Sequence, residues 1–373
     1  MSGVRGPIDA VARYVRRAAA AAANDDAPAG EGAAAGRTSA PPADGAATSR
    51  VWRWFRYSPL LAQLVVTRRC NLACGYCSEF DRTSPLVPAE VLRERVDHLA
   101  RLGTVAIDFT GGEPLLHPQL GELVAHARNR RFVSVRLNSN GYLMTERRIE
   151  ELNAAGLDEA QVSVDGVKAN ETTVKALEPL RPKLELLARL ARFDIVLSGV
   201  VGSGATVAEV EEVIRFARDH GFRPRILLVH HDDGQLALRP ADLAMYRGLQ
   251  RKVGFHLSDM GDYREKLIAH GRAPFRCRAG SRYLYIDELG IVRWCSQTRE
   301  IFGKPLADYG PHDLRRQYHT PKRCNTGCTL GCARTCSLFD EWLPQDGPPA
   351  GSRHHEPPPA SSAQDDPQHA AGG

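Results

Sequence analysis

The sequence predicts an α/β fold, a partial (β/α)6 barrel of parallel strands followed by a small cysteine-rich C-terminal domain. Three observations predict it. Apolar, strand-like runs alternate six times with helix-like segments between residues 58 and 252. Clusters of Gly, Asn, Asp and Cys recur just after those runs, where ligands bind in parallel α/β folds. Six of the nine cysteines then crowd into residues 277–336. Six units are fewer than the eight of a closed barrel, so an open one is expected. A doubly wound sheet is the alternative, because alternation does not encode strand order.

The elements follow in order. Residues 61–67 (Leu-Ala-Gln-Leu-Val-Val-Thr) read as the first strand, and residues 88–102 as a helix with Val91, Val96, Leu99 and Leu102 as apolar contacts. Strands are expected at 105–110, 132–138, 160–165, 194–200 and 225–230. Helices are expected at 120–129, at 145–155 with Thr145 as cap, at 182–191 with Pro182 in the first turn, at 206–220 ending at Gly221, and at 241–252. Residues 283–286 and 291–294 read as a hairpin around Asp287, Glu288 and Gly290.

The ends differ in composition. A short amphipathic helix near Ile8, Val11, Tyr14 and Val15 leads into an Ala/Gly/Pro/Ser-rich tract, so residues 1–55 are expected to be a disordered extension. The expected division continues with a barrel at 56–235, linking helices at 236–275, an auxiliary domain at 276–343 and a disordered tail at 344–373 that carries His354 and His355.

Charge and hydropathy narrow the classes. A net charge of +5, from 49 basic and 44 acidic residues, does not call for a nucleic-acid partner. No apolar run nears the roughly 18 residues needed to span a bilayer, and the Ala-rich run after Arg16 and Arg17 is a poor signal peptide, so a cytoplasmic protein is expected. An odd number of cysteines at CxxC and CxxxC spacing argues for metal ligation over disulfides.

Cys70, Cys74 and Cys77 follow the first strand directly. Three thiolates in one short loop suit three irons of a cubic [4Fe–4S] cluster, leaving the fourth iron open to a small molecule. Zinc is the other soft-ligand choice, but a structural zinc site needs a fourth Cys or His nearby, and none occurs between Cys77 and His98. Thr110-Gly111-Gly112-Glu113-Pro114 ends the second strand, Asn138-Ser139-Asn140-Gly141 the third and Ser163-Val164-Asp165-Gly166 the fourth. Two glycines let backbone groups approach a ligand closely, a carboxylate such as Glu113 suits an ammonium group, and Arg68 and Arg69 offer positive charge beside the loop.

These motifs, in this order, resemble the radical S-adenosylmethionine (SAM) superfamily over about residues 58–235. The resemblance implies that Cys70, Cys74 and Cys77 ligate the cluster and that its open iron chelates the methionine part of SAM. It implies that Gly111, Gly112 and Glu113 belong to the segment pairing with the methionine amino group, and that Tyr76 lies near the adenine. Ser163 and Asp165 are candidates for ribose or carboxylate contacts. It implies an enzyme that cleaves SAM reductively to a 5′-deoxyadenosyl radical, which abstracts a substrate hydrogen. A reductant such as flavodoxin or ferredoxin is the implied electron donor.

Twelve residues separate Cys277 from Gly290 and four separate Gly290 from Cys295, a spacing similar to the opening of SPASM and twitch auxiliary-cluster domains. Cys324, Cys328, Cys332 and Cys336, with three residues between each and the next, resemble the cysteine-rich close of a SPASM domain but depart from its usual spacing. One or two auxiliary [4Fe–4S] clusters are implied. By analogy Cys277, Cys295 and Cys336 serve a nearer cluster, and Cys324, Cys328 and Cys332 an outer one; a zinc knuckle is the structural alternative. The resemblance leaves two substrate classes, a peptide that is oxidised or cross-linked and a small metabolite. No leader-binding winged-helix module is expected within residues 1–55. A non-catalytic iron–sulfur or zinc protein for electron transfer or scaffolding is the alternative function. His230, His231, Asp232 and Asp233 follow the sixth strand and read either as proton-transfer groups or as a solvated loop. Asp108 is placed toward the barrel interior, Tyr283 and Tyr285 read as hairpin packing, and no general base is assigned.

Overall fold

The structure, a computed structural model, describes residues 57–229, 240–253, 264, 266–267, 275–322, 324, 328–338 and 340. The N-terminal extension, the His230–Asp233 loop, most of the linking segment and the C-terminal tail lie outside the described residues. The elements run β1 (Leu61–Thr67), α1 (Ala89–Arg101), β2 (Ala106–Gly111), α2 (Leu120–Asn129), β3 (Ser134–Ser139), α3 (Glu146–Ala155), β4 (Glu159–Ser163), α4 (Leu177–Leu190), β5 (Asp194–Val201), α5 (Val207–Asp219), β6 (Arg223–Leu228) and α6 (Pro240–Val253). Then come β7 (Tyr283–Ile286), β8 (Ile291–Arg293), β9 (Lys304–Pro305), α7 (Pro311–His319) and α8 (Gly331–Leu338).

The expected partial barrel is present. β1 to β6 are parallel neighbours in chain order, which excludes a doubly wound sheet. The helix ends follow local chemistry. Thr145 accepts a hydrogen bond from Arg148 N to open α3, and Gly156 closes it with φ +80°. Thr206 and Glu209 form a reciprocal capping box on α5. One start differs from expectation: α4 begins at Leu177, so Pro182 lies inside the helix rather than in its first turn. The reason is upstream. Leu177 N and Glu178 N donate to Gly166 O and Val167 O at 2.9 and 3.0 Å, which satisfies two of the donors a helix start leaves open. Leu177, Leu180, Leu184 and Leu187 then bury one continuous stripe, which offsets the bond lost at Pro182.

The hairpin does something the sequence pattern does not specify. β7 lies parallel to β1, with Leu61 opposite Tyr283 and Gln63 opposite Tyr285. The sheet therefore has nine strands in the order β6-β5-β4-β3-β2-β1-β7-β8-β9. The Arg282 side chain locks this junction. It donates to both oxygens of Asp340 at 2.8–3.2 Å and to Ser58 O at 3.2 Å, with both side chains almost fully buried.

The two faces of the sheet are unlike. The outer face is apolar and packs Leu64, Ile107, Phe109, Val135 and Leu137 against the helices. At the β1–β7 end, the opposite face packs Val65, Tyr283 and Tyr285 against Phe275, Cys277, Cys295, Ala333 and Cys336 of the cysteine-rich segment. Elsewhere that inner face is polar, with Arg136 and Asn138 on β3, and Gln161 and Ser163 on β4, alternating with buried residues. A parallel sheet built only for packing is apolar on both faces, so the polarity marks a chamber for chemistry.

Asp108 is the buried acid of that chamber. Its Oδ2 accepts from Gln63 Nε2 at 3.0 Å and Asn138 Nδ2 at 2.7 Å, while its buried Oδ1 has no hydrogen-bond partner. Burial, only partly offset by Gln63 and Arg136, pushes its pKa up to about 6.

Two outcomes follow. Replacing Asp340 by Ala leaves the Arg282 charge buried without its partner and is expected to destabilise the fold by about 3–5 kcal/mol, read by urea unfolding. Asp108 holds its proton in the folded state at pH values where the unfolded chain has released it, so its contribution falls as pH rises through roughly 4 to 6. From pH 5 to 7.5 the wild type is expected to lose about 1–2 kcal/mol of stability relative to Asp108→Asn, and parallel pH profiles of the two proteins would refute this.

Candidate active site

The site is built where β1 to β4 end. The chain leaving β1 carries Cys70, Cys74 and Cys77, and its own backbone holds it in shape. Cys70 N donates to Asp81 O at 3.0 Å, Asp81 N to Arg68 O at 2.9 Å, Cys77 N to Cys74 O at 3.1 Å and Gly75 N to Thr172 O at 2.9 Å. Arg68 and Arg69 donate to Ser78 O and Ser84 O, so these guanidinium groups brace the loop.

The two glycines after β2 lie against this loop. Gly112 N donates to Thr67 O at 2.8 Å and Glu113 N to Arg69 O at 2.9 Å. A Cβ on Gly111, whose φ is +145°, would stand 2.1 Å from Thr67 O, and one on Gly112 would stand 2.2 Å from Arg68 O. Only glycine permits this approach. Glu113 is completely buried. Its Oε1 accepts from Leu115 N at 2.9 Å and Ser139 Oγ at 2.8 Å, and its Oε2 accepts from Asn140 N at 2.7 Å. The carboxylate thus braces the end of β3, and burial raises its pKa in spite of these donors. Asn140 Nδ2 turns back to the cysteine loop, 2.8 Å from Asn71 Oδ1 and 3.7 Å from Cys70 Sγ.

β4 contributes a second brace. Asp165 is fully buried, accepting from Tyr76 OH and Thr173 Oγ1, each at 2.7 Å, and from Val200 N at 3.2 Å. Thr173 Oγ1 is also 3.8 Å from Cys74 Sγ, and Lys175 Nζ donates to Tyr76 OH at 3.0 Å. Burial lowers the pKa of Lys175, but Tyr76, Asp165 and Cys74 outweigh it and hold the ammonium above the ordinary lysine range. Tyr76, Gly111, Gly112, Glu113 and Asp165 are therefore brought together around the cysteine loop. Ser163 is half-buried on the inner face opposite Ser198, outside that hydrogen-bonded set. Sequence reasoning missed Thr173 and Lys175. They sit in an irregular segment after β4 with no periodicity, and only their eight- and ten-residue distance from the Asp165 turn could have flagged them.

The later cysteines separate into two sets. Cys277, Cys295, Cys324 and Cys328 line one cavity together with Trp294 and Lys322. Burial pushes Cys277 up to about 11 and Cys295 up to about 12, and lowers Lys322 to about 8. Cys332 and Cys336 do not line that cavity, although Cys336 packs in the same apolar cluster as Cys277 and Cys295. The charges bearing on Cys332 are Arg225, Asp108 and Arg136, all on strands of the barrel, while Cys336 lies near Cys332, Arg136 and the Arg282–Asp340 pair. This four-plus-two arrangement differs from the three-plus-three division implied by analogy.

The donor sets suit iron–sulfur clusters. Each is composed of thiols, in a loop or cavity closed by packed protein, with amide, hydroxyl or ammonium groups alongside. Among the described residues, no three His, Cys, Asp or Glu side chains gather as they do around a single metal ion. Tyr283 and Tyr285 also do more than pack the hairpin: Tyr283 OH donates to Gln63 Oε1 at 2.5 Å and Tyr285 OH donates to Glu79, two residues past Cys77.

Residues 64–233 match the family model described as the Radical SAM superfamily. Among curated proteins, the PqqA peptide cyclase of Gluconobacter oxydans is 34% identical over 169 residues, covering 43% of this chain and 46% of that protein. The GTP 3′,8-cyclase of Chlorobaculum tepidum is 30% identical over 182 residues, covering 47% and 55%. The chain thus spans about half the length of the curated relatives it matches. Among solved structures, Streptococcus suis SuiB bound to its precursor peptide SuiA has a TM-score of 0.55 at 12% identity, covering 83% of this chain and 77% of that one. The structure of anSMEcpe with bound AdoMet and a peptide has a TM-score of 0.52 at 17% identity, covering 76% and 96%. The three cysteines after β1 and the glycine pair after β2 thus lie within the stretch, residues 64–233, that matches the Radical SAM superfamily model.

Proposed function

We propose that this protein is a radical SAM enzyme that removes a hydrogen atom from a peptide, oxidising or cross-linking it with the help of one auxiliary cluster. The observation that carries the reading is the convergence of the Cys70–Cys77 loop, the Gly111–Gly112 backbone and the Asp165–Tyr76–Lys175 chain at adjoining strand ends. When bound, a [4Fe–4S] cluster and SAM supply the 5′-deoxyadenosyl radical that takes the substrate hydrogen.

The residues of the chain supply everything around that chemistry. Cys70, Cys74 and Cys77 would hold the cluster, and Gly111 and Gly112, packed against Thr67 and Arg68, fix where their loop begins. Glu113 keeps the β2 and β3 ends in register, and Asn140 presents its amide to the Cys70 sulfur. Cys277, Cys295, Cys324 and Cys328, which line one cavity, would hold an auxiliary cluster able to supply one-electron transfer. Asp108, with an open buried oxygen, accepts a donor from substrate in the chamber. The functional units are residues 56–235 and 276–343, and a flavodoxin or ferredoxin is the proposed electron source.

Peptide as substrate is supported by the PqqA peptide cyclases among the relatives and by the peptides named for SuiB and anSMEcpe. A small metabolite is the second reading, supported by the GTP 3′,8-cyclases, which match at comparable identity.

Reduced, reconstituted protein given SAM is expected to release methionine and 5′-deoxyadenosine in equal amounts; absence of both would sink the enzymatic reading in favour of a non-catalytic metal protein. The Cys70/Cys74/Cys77 triple Ala variant is expected to lose about four irons and all of this activity. Replacing Cys277, Cys295, Cys324 and Cys328 removes about four different irons and leaves uncoupled SAM cleavage, whereas Cys332→Ala/Cys336→Ala retains the full iron content. Gly112→Ala forces the cysteine loop away from β2 and is expected to lose the first cluster's iron, measured by iron and sulfide assay.

A further inference from the structure

We infer that Lys175 is a fixed positive charge built against the cysteine loop, where it sets how readily the cluster held by Cys70, Cys74 and Cys77 accepts an electron. The inference rests on the cluster site proposed above and concerns a residue outside its motifs.

Lys175 lies in the segment between β4 and α4, and its ammonium is carried to the loop by Tyr76, the residue just before Cys77. Its Nζ donates to Tyr76 OH at 3.0 Å and stands 5.0 Å from the centre of the Tyr76 ring. Tyr76 OH donates in turn to Asp165 Oδ2 at 2.7 Å, so the phenol is oriented from both sides. Tyr76 stands immediately before Cys77, and the hydroxyl of Thr173, two residues before Lys175, is 3.8 Å from Cys74 Sγ, so the ammonium is held against the cysteine loop. The opposing charge of Asp165 is spread over three hydrogen bonds, from Thr173, Tyr76 and Val200 N. One of the three ammonium donors is taken by Tyr76.

An electron added to an iron–sulfur cluster adds negative charge, and nearby positive charge stabilises the reduced form. Lys175 is half-buried and bonded directly to a loop residue, well within a Debye length, so the interaction is only weakly screened. Removing the charge makes reduction harder, without removing any thiol. The residue acts through the electrostatic field and through Tyr76, so it is a positioning and tuning group rather than a catalytic residue.

The test is an anaerobic redox titration of the reconstituted full chain, followed by electron paramagnetic resonance. The signal of the first cluster is picked out by its change on adding SAM. In Lys175→Met and Lys175→Gln, with iron content equal to wild type, the reduced-to-oxidised ratio at fixed potential is expected to fall about tenfold, equivalent to ~59 mV for one electron. Lys175→Arg is expected to keep the wild-type ratio. If Lys175→Met fails to retain iron, Lys175→Gln decides. Neutral variants with full iron and an unchanged ratio overturn the inference. A wild-type protein in which the Cys70/Cys74/Cys77 variant removes no iron overturns the underlying cluster site instead.

Discussion

The close approach of the β2 exit to the β1 exit is the constraint on which the site depends. Gly111 and Gly112 run so near Thr67, Arg68 and Arg69 that no side chain fits between them. Backbone bonds from Gly112 N and Glu113 N then fix where the cysteine loop begins. Glu113 extends the same constraint to β3 through Ser139 and Asn140, and Asp165 extends it to β4 through Tyr76 and Thr173. Two buried carboxylates thus act as struts. Both are acidic residues in a place that disfavours charge, and both are stabilised there by three hydrogen bonds.

This explains why a family motif can be read twice. Glu113 is expected, from its chemistry, to meet an ammonium group, yet its two oxygens are already engaged by chain donors. Groups that donate toward the thiols come instead from Leu72 N, Asn140 and Thr173, and the ammonium of Lys175 is carried to the loop by Tyr76. The glycines, by contrast, act as their residue type demands.

Much of the barrel was legible in the sequence because each unit carries its own signal. The strand runs are apolar, the helix starts at Thr145 and Thr206 are capped, and Gly156 and Gly221 mark stops. What was not legible depends on partners distant in sequence. The start of α4 is set by the carbonyls of Gly166 and Val167, which no helix periodicity reveals. A hairpin pattern at residues 283–293 does not say that its first strand lies beside β1. The evenly spaced run from Cys324 to Cys336 looks like one unit, yet Cys324 and Cys328 face a cavity with Cys277 and Cys295, while Cys332 is turned toward the barrel. Helical geometry explains that break: Cys332 and Cys336 are one turn apart on α8, whereas Cys328 precedes the helix.

The parallel pairing of β7 with β1 bears on how the molecule is made. Tyr283 and its partner Gln63 are 220 residues apart in the chain. During synthesis β1 pairs with β2 and then waits with its other edge bare until β7, some 220 residues further along, arrives. A bare edge invites pairing with other chains, so the nascent protein passes through an interval of vulnerability to self-association. The same interval leaves the loop beside that edge uncovered before Tyr285 reaches Glu79. Arrival of β7 therefore serves as a closing step in biogenesis, ending the vulnerability and the access together.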